Sequence, residues 1–393
     1  MTEWRLKDCC YSISDGDHLP PPKSSYGIPF ITISNIDSTN HIDFENTLFV
    51  PIEYYNNLDS IRKPQVNDII YSVVGSFGKP VLIKENRPFV FQRHIAILRP
   101  NNEIADSRYL YYVMLSRDFY MQADSVALGA AQRTISLTSL RNMKVQLPDL
   151  DVQRRIAEVL SRYDALIENY QRQIKLLEEA AQRLYKEWFV DLRFPGHQST
   201  PIINNLPQGW EKKSVSMLGE YLNGFAFKPS DWQETGKPII KIKEMGNGVT
   251  AETPRNNGDR VPKKYLIKAG DLLFSWSATL MVIVWTGEEG WLNQHLFKVT
   301  PAEGIGREFL LQSIANAIAE FSNLTTGSTM KHIQRNKLDQ VFVNTPPPEI
   351  MEKYNNLAES IRTQIINKSV QIRNLSEARD RLLPKLMSGE IEV

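Results

Sequence analysis

The chain contains almost no cysteine. Of its 393 residues only two are cysteines, Cys9 and Cys10, and they are adjacent. Without a C-x-x-C pair, the sequence offers neither a disulfide framework nor a cysteine zinc site. This excludes small disulfide-bonded secreted domains and zinc-finger proteins. We expect a reduced, cytoplasmic protein without a bound metal.

Long hydrophobic runs are also absent. The sequence has no stretch of about 18 apolar residues, the length that a membrane helix needs. The first ten residues, MTEWRLKDCC, are charged and lack the apolar segment of a secretory signal. We therefore expect no contact with membranes.

An excess of charge of either sign is missing. Lys and Arg total 46 and Asp and Glu total 45, which leaves a net charge of +1. Proteins that bind nucleic acid usually carry a basic excess. A nucleic-acid partner is therefore disfavoured, unless the basic residues cluster on one face or another subunit supplies positive charge.

The short motifs of cofactor-binding enzymes are lacking as well. The sequence has no G-x-x-x-x-G-K-[S/T] phosphate loop and no G-x-G-x-x-G turn after a strand. No Ser/His pattern or pair of carboxylates stands out, and catalytic residues far apart in sequence would leave no such pattern. These motifs therefore supply no candidate cofactor site and no candidate catalytic residue in this chain.

An internal repeat is the strongest feature that is present. DIIYS at 68–72 returns as DLLFS at 271–275, and QRHIAILRP at 92–100 returns as NQHLFKVTP at 293–301. Further pairs follow in the same order at nearly the same offset. The chain is therefore interpreted as two diverged copies of one unit, each large enough for its own core.

Each copy has the pattern of a mixed α/β domain. Segments rich in β-branched and aromatic residues, bounded by Gly, Pro or Asn, predict strands at 26–36, 67–75, 88–100 and 142–148. Apolar spacing predicts a helix at 107–123 and its counterpart at 307–321. The fold class predicted is α+β. The predicted segments are a first domain at 1–148, a helix at 149–194, a second domain at 195–346, and a second helix with a tail at 347–393.

After each domain the pattern changes to a long helix with an apolar seam. Apolar residues alternate at spacings of four and three, which is a heptad pattern. The first seam comprises Ile156, Leu160, Tyr163, Ile167, Tyr170, Ile174, Leu177, Ala181, Leu184 and Trp188. The second comprises Tyr354, Ala358, Ile361, Ile365, Lys368, Ile372, Leu375, Arg379, Leu382 and Leu386.

These seams predict an antiparallel coiled coil. The second domain starts where the first helix stops, so the second helix can bury its stripe by returning along the first. Lys368 and Arg379 are the two polar departures, and Pro384 is expected to end or kink the second helix. The alternative is that each helix packs on its own domain.

Three matching loops in each copy are candidates for binding. They span 14–27, 73–79 and 129–135 in the first copy and 222–238, 275–280 and 326–333 in the second. They differ in side chains while the flanking segments repeat, and their polar residues can bond to base edges or phosphates. Taken singly, each is an ordinary solvated loop, and His94 and His295 fit structural roles equally well. The candidate residues are His18, Lys23, Ser72, Ser76, Lys79, Gln92, Arg93, His94, Gln132, Arg133 and Thr134 in the first copy and Lys228, Lys241, Lys243, Ser275, Trp276, Gln294, His295, Lys331, His332 and Gln334 in the second.

Four segments resemble the specificity subunits of type I DNA restriction–modification systems. They are LRNMKVQLPDLDVQRRIAEVLSRYDALI (140–167), AQRLYKEWFVDLRFPG (181–196), YLIKAGDLLFSWS (265–277) and RDRLLPKLMSGEIEV (379–393). They occur in the expected order around two repeats, and the resemblance covers essentially the whole chain.

The resemblance implies two target-recognition domains, each reading half of a bipartite site in double-stranded DNA, with helical spacers that fix the gap. It also implies two methyltransferase subunits and a restriction/translocase subunit as partners. S-adenosylmethionine and ATP would belong to those partners. Two other hypotheses remain open at this point: a coiled-coil adaptor that displays two non-DNA ligand-binding domains, and a catalytic subunit whose active-site residues are scattered.

Overall fold

The computed structural model describes residues 1–16, 21–37, 40–129, 133–323 and 335–393. It contains two units: unit 1 comprises Met1–Ile167 with Asn374–Val393, and unit 2 comprises Glu168–Arg373. Within the described ranges, no helix combines the length and apolarity needed to cross a membrane. Unit 1 therefore combines the predicted first domain with part of each long helix. The boundaries of the four predicted segments, the two domains and the two helices, stay predictions.

Unit 1 mixes short strands and helices around the start of a long helix. Its strands are β1 (Thr2–Arg5), β2 (Cys10–Asp15), β3 (Ile28–Ile31), β4 (Leu48–Val50), β5 (Ile69–Ser72), β6 (Pro80–Leu82), β7 (Val90–Phe91), β8 (Ile95–Pro100) and β9 (Lys144–Leu147). Its helices are α1 (Ile52–Asn57), α2 (Ser107–Leu115), α3 (Arg117–Val126), α4 (Leu137–Asn142), the first part of α5 (Leu150–Tyr185) and, from Asn374 onward, the end of α8 (Pro348–Ser388).

Unit 2 begins within α5 and contains the second domain. Its strands are β10 (Ile202–Ile203), β11 (Leu206–Pro207), β12 (Glu211–Ser214), β13 (Gly219–Asn223), β14 (Lys237–Ile240), β15 (Arg255–Asn256), β16 (Leu266–Ile267), β17 (Leu272–Ser275), β18 (Met281–Val284), β19 (Gly290–Leu292), β20 (Leu296–Pro301) and β21 (Phe342–Thr345). Its helices are α6 (Ile242–Asn247), α7 (Arg307–Asn323) and most of α8 (Pro348–Ser388).

The sheets of the two units have matching strand orders. Unit 1 has β2-β8-β5-β6 and unit 2 has β13-β20-β17-β18. A smaller sheet, β4-β3-β7, matches β15-β14-β19-β16, because β3 pairs with β7 in parallel as β14 does with β19. The register agrees too, because Ser72 lies opposite Ile95 and Ser275 lies opposite Leu296. The predicted repeat of a mixed α/β domain is therefore confirmed.

The aspartate that opens each repeated strand segment has a structural role. Both side-chain oxygens of Asp68 accept hydrogen bonds from Arg99 on β8, at 2.9 and 2.8 Å. Asp271 accepts a 2.8 Å hydrogen bond from Nζ of Lys298 on β20. The basic residue is an arginine in one unit and a lysine in the other, but both pairs link equivalent strands. They therefore hold the same two strands together in both units.

One predicted helix is divided in two. The segment at 107–123 was predicted as one helix, but α2 ends at Leu115 and α3 begins at Arg117. Between them the Oγ of Ser116 accepts a 3.2 Å hydrogen bond from the Phe119 N–H. A serine in this position caps a new helix and competes with continuation of the old one. The counterpart α7 is continuous over Arg307–Asn323.

Antiparallel pairing of the long helices is visible in unit 1 by itself. Near the start of α5, Ile156 and Leu160 share a buried cluster with Leu386 near the end of α8. Further along α5, Asp164 accepts a 2.7 Å hydrogen bond from Nη1 of Arg379, which precedes Leu386 in α8. Residue numbers rise along one helix and fall along the other. Asp164 also explains how a polar residue, Arg379, is accommodated in the seam.

Unit 2 shows the same pairing independently. The ring of Trp188, in a π-helical turn that follows α5, lies 5.9 Å from the ring of Tyr354 between centroids. Earlier in α5, the ring of Tyr170 lies 5.3 Å from Nζ of Lys368, the other polar seam residue. All predicted seam positions fall in the described part of the chain, and none of them is exposed. The predicted antiparallel coil is confirmed. Pro384 was expected to end or kink the second helix; it does not end it, because α8 continues to Ser388, and the kink stays a prediction.

The helix ends also pack on the domains. The cluster that holds Ile156 and Leu386 includes Tyr71 of β5 and Leu110 of α2. From α2, the Tyr112 hydroxyl donates a 2.5 Å hydrogen bond to Asp164. Burial raises the pKa of Tyr112, which keeps the hydroxyl protonated as a donor. Helix–helix pairing and packing on the domain therefore occur together.

Paired cysteines test the direction of the helices. In a chain whose two native cysteines are replaced by serine, Ile156→Cys with Leu386→Cys should crosslink within one chain, because the two side chains share a buried cluster. Trp188→Cys with Tyr354→Cys should crosslink for the same reason. Electrophoresis under non-reducing conditions reads out the product. Efficient crosslinking of Ile156→Cys with Tyr354→Cys instead would indicate parallel helices.

Candidate functional site

In each unit a buried serine folds the loop that follows the repeated strand. Ser72 and Ser275 are both 0% exposed. The Ser72 Oγ donates to the carbonyl oxygen of Ser76 at 3.0 Å and accepts from the Lys79 N–H at 2.9 Å. The Ser275 Oγ donates to the carbonyl oxygen of Thr279 at 2.7 Å. Because both hydroxyls are occupied in these turns, the prediction that they contact DNA is corrected: they shape the loops.

A glycine in each unit brings a second loop against a histidine-containing turn. A Cβ atom at Gly16 would lie 2.2 Å from the carbonyl oxygen of Phe91, and one at Gly224 would lie 2.1 Å from that of Asn293. No side chain fits at such distances, so both positions require glycine. The two loops therefore approach the same turn in both copies.

The two predicted histidines lie in these turns. His94 and His295 are both half-buried, and Gln92 is half-buried beside the first. The residue before each histidine differs, because Arg93 is exposed and Gln294 is half-buried. Each turn thus combines a histidine with a polar neighbour that differs between the two copies. A structural role and a ligand contact both fit a half-buried histidine.

Trp276, in the loop after β17, contacts two other segments of the second domain. Its indole N–H donates a 3.2 Å hydrogen bond to the side-chain oxygen of Asn223. Its ring centroid lies 5.8 Å from that of His295 and 6.0 Å from that of Phe297. Trp276 and His295 were predicted from two separate segments, and the structure brings their rings into contact.

Arg133 of the first domain is occupied by internal contacts. Its guanidinium makes short hydrogen bonds to the side chain and the backbone carbonyl of Asp124 and lies 5.4 Å from the ring centroid of Phe77. Its own carbonyl oxygen accepts from the Gly75 N–H at 2.9 Å, which ties the third loop to the loop after β5. Thr134 pairs with Leu128 through backbone hydrogen bonds of 2.8 and 2.9 Å. Arg133 therefore stabilises the packing of its own loop against α3 and the loop after β5.

The predicted lysines are spread over a wider surface. Lys241 lies with its Nζ 4.6 Å from the ring centroid of Trp232, and Lys243 forms a 3.3 Å ion pair with Glu252. Lys23 and Lys228 are exposed. The contacts of Lys241 and Lys243 therefore lie outside the residues described around His94 and His295.

Two other candidates have different placements. Lys79 donates from Nζ to the carbonyl oxygen of Ile36 at 3.4 Å, and Ser76 is exposed at the tip of its loop. Five further candidates lie outside the described residues: His18, Gln132, Lys331, His332 and Gln334.

Sequence reasoning missed Asn223 and a nearby aromatic cluster. The ring of Phe225 lies 4.9 Å from that of Phe227 and 5.6 Å from that of Tyr265, between centroids. Lys264 lies over Tyr265 at 5.0 Å. The sequence did carry a signal for Asn223: Asp15-Gly16 in the first copy is repeated as Asn223-Gly224 in the second. The cluster gave no such signal because its members come from two separate segments.

The loop groups offer hydrogen-bond donors, acceptors and aromatic faces. Within the described ranges, no group of three or more His, Cys, Asp or Glu side chains is arranged to hold a metal ion. Guanidinium, amide and imidazole groups of this kind suit contacts with base edges and phosphates.

Comparison with known sequences decides the family. Residues 3–179 and 207–368 match the family described as the type I restriction modification DNA specificity domain. The chain belongs to this family. It is 24% identical to the type I restriction enzyme HindI specificity subunit of Haemophilus influenzae, over 100% of both chains. It is 26% identical to the MjaIX specificity subunit of Methanocaldococcus jannaschii, over 73% of this chain and 69% of that one.

A solved structure supports the same fold. The type I restriction–modification S subunit from M. genitalium superposes with a TM-score of 0.52 at 14% identity, covering 98% of this chain and 95% of that one. Membership of the specificity-subunit family confirms the prediction of a non-catalytic, DNA-recognising subunit. The adaptor with non-DNA ligands and the scattered catalytic subunit receive no support.

Proposed function

We propose that this specificity subunit reads a bipartite target in double-stranded DNA, with each domain reading one half. The observation that carries the proposal is the repetition of one loop frame with different side chains. Ser72 and Ser275 fold equivalent turns, and Gly16 and Gly224 make equivalent close approaches. A constant frame that presents different polar groups suits two modules that recognise different base sequences.

The chemical steps would belong to partner subunits in the cytoplasm. Two methyltransferase subunits would bind S-adenosylmethionine and methylate one adenine in each half-site, after turning each base out of the duplex. Restriction/translocase subunits would bind ATP. Positive charge from these partners would compensate for the net charge of only +1 on this chain, since phosphate contacts supply much of the affinity for DNA.

A gel shift with and without the methyltransferase partner tests the proposal. The target motif is first read from the methylated adenines in the genome of a host that expresses the complex. The complex of this chain with the methyltransferase should then bind a duplex carrying that motif about a thousandfold or more tighter than a scrambled duplex. The isolated chain should bind more weakly, because it lacks the partner's phosphate contacts.

Two controls separate the other hypotheses. The methyltransferase without this chain should show no preference for the motif. Equal affinity of the complex for the motif and the scrambled duplex would contradict DNA-target recognition. Methylation by this chain alone would instead indicate a catalytic subunit.

A further inference from the structure

Arg93 and Gln294 occupy the same position in the two domains. In the first domain the Ile95 N–H donates to the carbonyl oxygen of Gln92 at 3.0 Å, which closes a β-turn over 92–95. In the second domain the Leu296 N–H donates to Asn293 at 3.0 Å and closes the same turn over 293–296. Arg93 and Gln294 are the second residue of each turn.

The surroundings fix both turns in the same way. The Gln92 N–H donates to Ile31 at 3.1 Å, and the Asn293 N–H donates to Ile240 at 3.1 Å. Each acceptor belongs to the central strand of the smaller sheet, and the two glycine approaches described above complete the frame on the other side. The backbone therefore presents position 93 and position 294 equivalently, and only the side chain differs.

The side chain of Arg93 is available for a ligand. It is exposed, and it makes no hydrogen bond or ion pair to the part of the chain that the structure describes. Arginine carries several N–H donors in a planar fork. Two of these can bond to O6 and N7 of guanine at once, which is the commonest specific contact in the major groove.

Gln294 is oriented by its neighbour. Its amide nitrogen lies 3.3 Å from Nε2 of His295. An amide nitrogen can only donate, so Nε2 of His295 is the acceptor in this contact. One amide N–H is used in this contact, which leaves the second N–H and the amide oxygen. That remaining pair matches N7 and the N6 amino group of adenine.

We propose that Arg93 reads a guanine in the half-site of the first domain and that Gln294, positioned by His295, reads an adenine in the half-site of the second. The inference rests on the proposed function and deepens it by assigning one base contact to each domain. The two domains thus use the same turn, and the one side chain that differs gives each turn its own base preference.

Binding to duplexes with single base-pair changes tests the assignment. The complex with its methyltransferase is titrated with the wild-type motif and with duplexes in which each pair is replaced in turn. For the wild-type chain, one G·C pair in one half and one A·T pair in the other should each discriminate by roughly 5- to 150-fold. Arg93→Ala should reduce discrimination to about onefold at that G·C pair alone, and Gln294→Ala should do so at that A·T pair alone.

Matched controls exclude general effects. Arg117→Ala removes an exposed arginine at the start of α3, and Gln208→Ala removes an exposed glutamine in unit 2. Both should leave discrimination unchanged at every pair. The melting temperatures of all four variants establish that they are folded.

The outcomes distinguish this inference from the function on which it rests. A wild-type complex without any motif preference overturns the proposed function. A wild-type complex with a clear motif, but with full discrimination retained in Arg93→Ala or Gln294→Ala, overturns the assignment for that domain only. Uniform weakening on all duplexes would place Arg93 on a phosphate and would also overturn its role in base reading.

Discussion

Replacing Arg362 by alanine is expected to lower the free energy of unfolding by about 3–5 kcal/mol. The Nε of Arg362, on α8, lies 3.1 and 3.0 Å from the two carboxylate oxygens of Glu308, on α7. The Glu308 side chain is 2% exposed and that of Arg362 is 9% exposed. Burial disfavours the ionised carboxylate and raises the pKa of Glu308, while the Arg362 guanidinium acts in the opposite direction. Without Arg362, the buried carboxylate keeps one ion-pair partner among the described residues, Arg307.

Two further variants separate the buried pair from general effects. Arg373→Ala removes an exposed arginine from the same helix and should change stability by less than about 0.5 kcal/mol. The double variant Glu308→Leu with Arg362→Met removes both charges and should recover most of the loss. Urea unfolding followed by tryptophan fluorescence measures all three. A loss below about 1 kcal/mol for Arg362→Ala would mean that the pair does not hold α7 to α8, because surface ion pairs contribute that little.

The long helices could be predicted from the sequence because their signal is local. A seam residue recurs every three or four positions, so the pattern itself defines which face is buried. Even the polar seam residues obey it, since Lys368 stacks on Tyr170 and Arg379 bonds to Asp164. The repeated strands were predicted for a similar reason, because each segment appears twice and its burial pattern repeats.

The loop residues could be predicted only in part, since their roles depend on partners distant in sequence. Polar composition gave Ser72 and Arg133 as candidates, yet the first is buried in its own turn and the second is bound to Asp124. Nothing in the sequence near Ser72 indicates that its hydroxyl faces inward. Asn223 was missed because its contact with Trp276 spans 53 residues.

Exchange of the first domain is expected to change one half of the methylated motif and to leave the other half intact. Residues 1–148 would be replaced by the matching segment of a relative with another specificity. A suitable relative keeps the residues that pack against α5, such as Leu110 and Tyr112. Gln153, which joins α5 to the domain, needs no such match because it bonds to backbone atoms there. These are the N–H of Asp106 and the carbonyl oxygens of Ile104 and Pro148, at 2.8–3.0 Å. Backbone contacts of this kind do not depend on the side chains exchanged.

The reciprocal exchange serves as the control. Replacing residues 195–346 in the same way should change the other half of the motif only, because its loops belong to a separate frame with its own core. Each chain is expressed with the same methyltransferase, so a difference in motif can come only from the exchanged segment.

The most direct test is to sequence the methylated adenines in the genomes of hosts that express the parent chain and the two exchanged chains. Recognition by two separate domains predicts three bipartite motifs. The first exchange shares one half with the parent, and the second exchange shares the other half. A change in both halves after one exchange, or in neither half while methylation persists, would contradict it.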